Sequence, residues 1–187
     1  MKARDIPNVL SVLRMTLAIP SALLLLREWY NEALLIFVVA GLSDGLDGYL
    51  AKRFAWRSRL GSILDPLADK ILLLTNYIVL GWMGWIPVWL VAAVISRDVV
   101  VVGGALAYHA RFGRYEMAPT MASKLNTTMQ IVLVVVLVAS LGLLSVPAWV
   151  VEGLIYTVLA TTAWSGVDYV WTWGIQAYRR RSRRQHE

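Results

Sequence analysis

Four aspartates interrupt apolar sequence in pairs: Asp44 and Asp47 in SDGLDGYLAK, then Asp65 and Asp69 in LGSILDPLADKILLL. Residues three and four apart share one face of a helix, so Asp44, Asp47 and Ala51 line one side of a first helix. Asp65 and Asp69 line one side of the next. Two such faces joined by the short stretch FAWRSRLG (54–61) are expected to meet. An all-oxygen donor set with no His or Cys nearby suits a hard divalent cation, Mg²⁺ or Mn²⁺, and that ion brings phosphates with it. Gly48 and Ala51 leave room for a nucleotide to approach the helix backbone, or equally for a second helix to pack closely. The bland alternative is ion pairing of the acids with Lys52, Lys70 or Arg97 to hold helices together. Four acids on two adjacent faces exceed what packing requires.

The setting makes the acids costly. On insertion scales a carboxylate at mid-membrane costs about 2.5–3.5 kcal/mol, so four unpaired ones cost on the order of 10 kcal/mol. A membrane setting follows from composition: 58% of the 187 residues are hydrophobic and the mean hydropathy is +0.60. Apolar runs at 8–27, 31–52, 63–84, 86–109, 122–142 and 147–175 are each long enough to cross a hydrocarbon core of about 30 Å at 1.5 Å per residue. The expected architecture is therefore all-α: a polytopic membrane protein of six transmembrane helices in a single domain over 1–187, with a basic tail at about 178–187. Arg14 inside the first apolar run, with no small-residue cleavage site after it, argues for a retained helix rather than a signal peptide. Pro119 and its polar neighbours break the segment 111–124 between spans 4 and 5.

Orientation follows from the basic residues. Lys2 and Arg4, then Lys52, Arg53, Arg57 and Arg59, then Arg111 and Arg114, and finally YRRRSRR fall on one side, against Arg27 on the other. Both termini are thus expected to be cytoplasmic. The net charge of +6 serves orientation and attraction to anionic headgroups, not nucleic acid. Trp29, Trp82, Trp85, Trp89 and Trp149 lie near span ends as interfacial anchors. With no cysteine, disulfides and thiolate metal sites are excluded. Intramembrane acids also build ion pathways, so a small ion transporter is the rival class. It would spread its carboxylates along the depth of several helices.

The pattern Asp44-x-x-Asp47-Gly48-x-x-Ala51-Lys52, followed by Gly61-x-x-x-Asp65-x-x-x-Asp69, closely resembles the signature of the CDP-alcohol phosphatidyltransferases. One position departs, since the family usually has Arg where this chain has Lys52, which keeps the charge and loses the bidentate fork. The resemblance implies a homodimeric enzyme of the cytoplasmic (inner) membrane of a bacterium, with its active site facing the cytoplasm. It would use Mg²⁺ or Mn²⁺ to pass a phosphatidyl group from CDP-diacylglycerol to an alcohol, releasing CMP. It also implies that Asp44, Asp47, Asp65 and Asp69 hold metal, that Asp69 is the catalytic base for the acceptor hydroxyl, and that Gly48, Ala51, Lys52 and Gly61 surround the CDP moiety.

The wider runs ISRDVVVVGG and SKLNTTMQ look like the glycerophospholipid branch of that family, which contains cardiolipin synthases and phosphatidylglycerophosphate synthases. Arg97 and Lys124 are implied as anion contacts for the acceptor or a lipid phosphate. Two further cations common in phosphatidylglycerophosphate synthases are absent, replaced by Ala105 and Asn126. Glycerol 3-phosphate is a dianion that needs several cationic donors, whereas phosphatidylglycerol is a monoanionic diester. The expected acceptor is phosphatidylglycerol, giving cardiolipin, with glycerol 3-phosphate as the alternative. Asn8 and Arg14 could reach a phosphate, or Arg14 could snorkel from its span. His109 is read as interfacial, Asp98 as a partner of Arg97 or another base, and Asp168 as an intramembrane acid without an evident partner.

Overall fold

The computed structural model describes the backbone over residues 6–53, 61–112 and 120–184, and side chains over 9–43, 67–104, 120–169 and at 171. It is all-helical there: α1 (Ile6–Leu26), α2 (Tyr30–Arg53), α3 (Gly61–Trp82), α4 (Val88–Phe112), α5 (Met121–Gly142) and α6 (Ala148–Arg184). Among the described residues, α1, α5 and α6 contain stretches long and apolar enough to cross a membrane: Val9–Leu26, Met121–Gly142 and Ala148–Tyr169. The charges that α2, α3 and α4 carry along their length lower their hydropathy, and they include the candidate site residues considered below. Large apolar side chains such as Ile19, Leu35, Val88, Val99 and Val167 are exposed around the bundle. A surface of that kind matches hydrocarbon rather than water, and the chain is an integral membrane protein.

Helix limits follow local chemistry. α1 runs through Pro20, whose missing N–H removes one rung without ending the helix. Pro119 lies outside the described residues, but α5 is a helix separate from α4 with its own N-cap, the Thr120 hydroxyl accepting from the Ser123 N–H at 3.2 Å. α6 continues to Arg184, beyond the membrane-crossing length expected from apolarity, because nothing in IQAYRRRSRR breaks a helix and basic residues suit a helix C-terminus.

Buried polar rungs set the relative directions. Arg14–Asp69 and Ser21–Asn76 both join α1 to α3 at an offset of 55 residues, the register of parallel helices. Lys70–Asp98 joins α3 to α4, and Asn126 meets Thr161 and Thr162 across α5 and α6. α1 packs on α2 and α3, α6 packs on α4 and α5, and α2 bridges the two groups through α5. The core between them holds Leu25, Tyr77, Leu80, Leu90, Leu133, Val134 and Val158, all fully buried. Gly81 lets α4 approach closely, since a Cβ there would stand 2.7 Å from the Val91 Cγ2.

Candidate active site

The implied site residues lie at one end of α2 and at the start of α3. α2 is helical through Asp44, Asp47, Gly48, Ala51 and Lys52, and α3 opens at Gly61 with Asp65 and Asp69 in its first turns. The i, i+3 and i, i+4 spacings are therefore realised on helices. The side chains of Asp44, Asp47, Lys52 and Asp65, and those of Ala105 and His109, lie outside the described residues, as does all of 54–60.

Asp69 is described, and it is not alone. Its carboxylate accepts from the guanidinium of Arg14 on α1, which is 2% exposed while Asp69 is 45% exposed. Arg14 thus points into the bundle, and the snorkelling alternative is overturned: a cation fixed on an inward carboxylate has no reason to reach for the interface. A cavity of about 130 Å³ opens beside the pair, walled by Arg14, Asp69, Lys70, Gly41 of α2 and Thr127 of α5. Gly41 lies three residues before Asp44, so this cavity adjoins the segment that carries the first acid pair.

Behind the cavity runs a second polar group. Asp98, expected to pair with Arg97 or another base, takes both: Arg97 Nη1 donates to Oδ1 at 2.8 Å and Lys70 Nζ donates to Oδ2 at 2.6 Å. Arg97 Nη2 donates to Ser123 Oγ at 2.7 Å and to Ser165 Oγ, and the guanidinium lies 5.5 Å from the centroid of the Tyr169 ring. Arg97 is 6% exposed and ties α4 to α5 and α6. Lys124, by contrast, is exposed in the first turn of α5. Asn126 is fully buried, with its amide oxygen accepting from Thr161 at 3.0 Å and Thr162 at 2.9 Å.

Sequence reasoning had named Lys70 only as a possible helix-pairing partner and missed it at the cavity wall. The available signal was its adjacency to Asp69, which puts the two side chains about 100° apart around α3. For Arg14 the signal was a cation inside an apolar span, which by default marks function.

The site thus brings together a carboxylate held by an arginine, a lysine beside it at the wall of one cavity, and three further acids carried on α2 and α3. The family model for CDP-alcohol phosphatidyltransferase matches residues 4–164. The chain belongs to the CDP-alcohol phosphatidyltransferases. It is 40% identical over 145 residues to the human cardiolipin synthase (CMP-forming), covering 69% of this chain and 48% of that protein. It is 31% identical to the probable cardiolipin synthase (CMP-forming) of Drosophila melanogaster, over 88% of this chain and 56% of that one. It is also 30% identical to the chloroplastic CDP-diacylglycerol–glycerol-3-phosphate 3-phosphatidyltransferase 1 of Oryza sativa subsp. japonica, over 88% of this chain and 57% of the relative. The chain thus spans about half the length of these relatives.

Proposed function

We propose that this chain transfers a phosphatidyl group from CDP-diacylglycerol to a hydroxyl of phosphatidylglycerol, giving cardiolipin and CMP. The observation that carries the reading is Asp69: it is the last acid of the sequence pattern that resembles the family's signature, and it lines a cavity with Arg14 and Lys70. In the reaction the acceptor oxygen attacks the phosphorus of the phosphatidyl group, the bond from that phosphorus to the CMP oxygen breaks, and CMP leaves. Asp69 takes the hydroxyl proton, a role that requires a carboxylate within hydrogen-bond reach of the acceptor. Arg14 aims it.

The family generally uses divalent metals, and the donor set here fits one, being all carboxylate and spaced at single helical turns. Asp44, Asp47 and Asp65 would hold Mg²⁺ or Mn²⁺, with Asp69 contributing. When bound, the ion offsets charge on the phosphate oxygens. Gly48, Ala51, Lys52 and Gly61 would surround the CDP moiety, and Lys124 would meet a lipid phosphate at the exposed start of α5. Six crossings, cytoplasmic termini and a homodimer complete the proposal.

Phosphatidylglycerol is favoured as acceptor because position 126 supplies no cation: its amide is locked to two hydroxyls of α6. An apolar cleft of about 790 Å³ between α4 and α6, reaching from Ala93 to Trp171, could take acyl chains, which glycerol 3-phosphate lacks. The second reading, phosphatidylglycerophosphate synthesis, draws on the resemblance to the rice enzyme. Purified protein given CDP-diacylglycerol, Mg²⁺ or Mn²⁺ and either acceptor in separate reactions decides between them by mass spectrometry of the lipid product. Cardiolipin is expected, and phosphatidylglycerophosphate alone would transfer the proposal to glycerol 3-phosphate.

A further inference from the structure

Lys70 differs from the other cations of the bundle. Arg14 is buried on Asp69, and both Nη atoms of Arg97 are taken up by Asp98, Ser123 and Ser165. The Lys70 side chain is 29% exposed and forms part of the wall of the Asp69 cavity. An ammonium has three N–H donors. One is directed at Asp98 Oδ2, which leaves two for whatever enters the cavity.

The charges point the same way. Asp98 is a single carboxylate shared by two cations, one on each oxygen, so Lys70, Asp98 and Arg97 together carry one surplus positive charge. Among the described residues no further carboxylate meets that charge, and in an apolar setting it attracts an anion. The member that can reach one is Lys70, the most exposed of the three. Its backbone neighbour Asp69 lines the same cavity, so one turn of α3 offers a carboxylate and an ammonium to whatever enters it.

We infer that Lys70, and not Arg97, contacts the phosphate of the acceptor, and that Asp98, anchored by Arg97, is the positioning residue that holds its ammonium in place. This rests on the transfer reading proposed above and assigns the acceptor cation within that site. Arg97 is thereby moved from direct anion contact to support, clamped by the hydroxyls of Ser123 and Ser165. The phosphate is common to both acceptors, as a diester in phosphatidylglycerol and a monoester in glycerol 3-phosphate.

The test uses the full chain in lipid nanodiscs, with initial rates measured against each acceptor at saturating CDP-diacylglycerol and then the converse. Losing a charge-assisted hydrogen bond to phosphate should raise the acceptor KM of Lys70→Met about tenfold or more, with the CDP-diacylglycerol KM unchanged. Lys70→Arg should recover most of the loss. Asp98→Asn should raise the same KM by less, and adding it to Lys70→Met should raise it no further, because its effect runs through Lys70. A lysine that only braces helices would lower Tm and kcat without a selective KM change, and that result overturns the inference. So would Arg97→Lys raising the acceptor KM while Lys70→Met leaves it alone. A wild-type protein that transfers to neither acceptor ends the transfer reading instead. The rise in Tm on adding either acceptor then decides Lys70: lost in Lys70→Met, it supports the contact, and kept in Lys70→Met or never seen, it overturns it.

Discussion

The two ends of the bundle are built from different chemistry. At the end where α1 turns into α2 and α3 into α4, both leading helices finish with the same backbone device. The Trp29 N–H bonds the Leu24 carbonyl and the Glu28 N–H that of Leu25, and likewise Trp85 bonds Leu80 and Gly84 bonds Gly81. Beneath these turns lie Leu25, Leu80, Ile86 and Leu90, fully buried and apolar. Further along the same helices the buried groups are Arg14, Arg97 and Asp98. Apolar contacts are non-directional and tolerate repacking, whereas each buried charge depends on a particular partner. Substitutions at the turns should therefore change stability alone, and those in the charged half should change turnover out of proportion to stability.

The sharpest break is Asp69→Asn. The amide keeps an oxygen for Arg14 but cannot take the acceptor proton, so transfer should fall by about 10²–10⁴. Tm should fall as well, since the buried Arg14 guanidinium loses its counter-charge, but far less than turnover does, and CDP-diacylglycerol binding with Mn²⁺ should survive. Measuring CMP release beside a thermal melt separates these effects. Near-normal turnover would remove Asp69 from the role of base and leave the two ends of the bundle chemically alike.

Arg14→Met affects both properties. Removing one partner of a buried pair typically costs 3–5 kcal/mol, but Asp69 is 45% exposed and partly solvated, so on the order of 1–3 kcal/mol is expected here. Transfer should also fall, because the carboxylate loses the group that aims it. Denaturant titration in detergent gives the first number and the transfer assay the second. Full activity in a destabilised Arg14→Met would reduce Arg14 to a helix clamp.

Much of this was legible in the sequence, for identifiable reasons. Apolar run length placed the six helices to within about two residues at most ends, and among the described residues three of them hold stretches apolar enough to cross a membrane; α2 was expected at 31–52 and is Tyr30–Arg53. The acids' spacing placed them on helices because the 3.6-residue repeat is fixed. What sequence could not supply is the direction in which a lone side chain points around its helix. Arg14 at a lipid face would snorkel, and at the α1–α3 contact it pairs with Asp69; the same residue fits both. Asn126 read as a missing cation, and only its neighbours reveal an amide that links α5 to α6. The length of α6 was missed because hydropathy marks where a membrane ends, not where a helix does.

The smallest effect tests the turn end directly. Gly84 sits at φ 82° and Glu28 at φ 60°, equivalent positions of the same motif in the left-handed region. There a Cβ crowds the following carbonyl at a cost of roughly 1–2 kcal/mol, and glycine avoids it. Glu28→Gly should therefore stabilise the protein by about 1 kcal/mol, and Gly84→Ala should destabilise it by a similar amount. A Cβ at Gly84 would meet nothing within 4 Å beyond its own chain neighbours, so the penalty there comes from the local backbone and not from packing. Opposite shifts of Tm with unchanged transfer rates are expected from the pair. A change in turnover from either would mean that strain at the turns reaches the charged half through α1 or α3, and that the two ends are coupled.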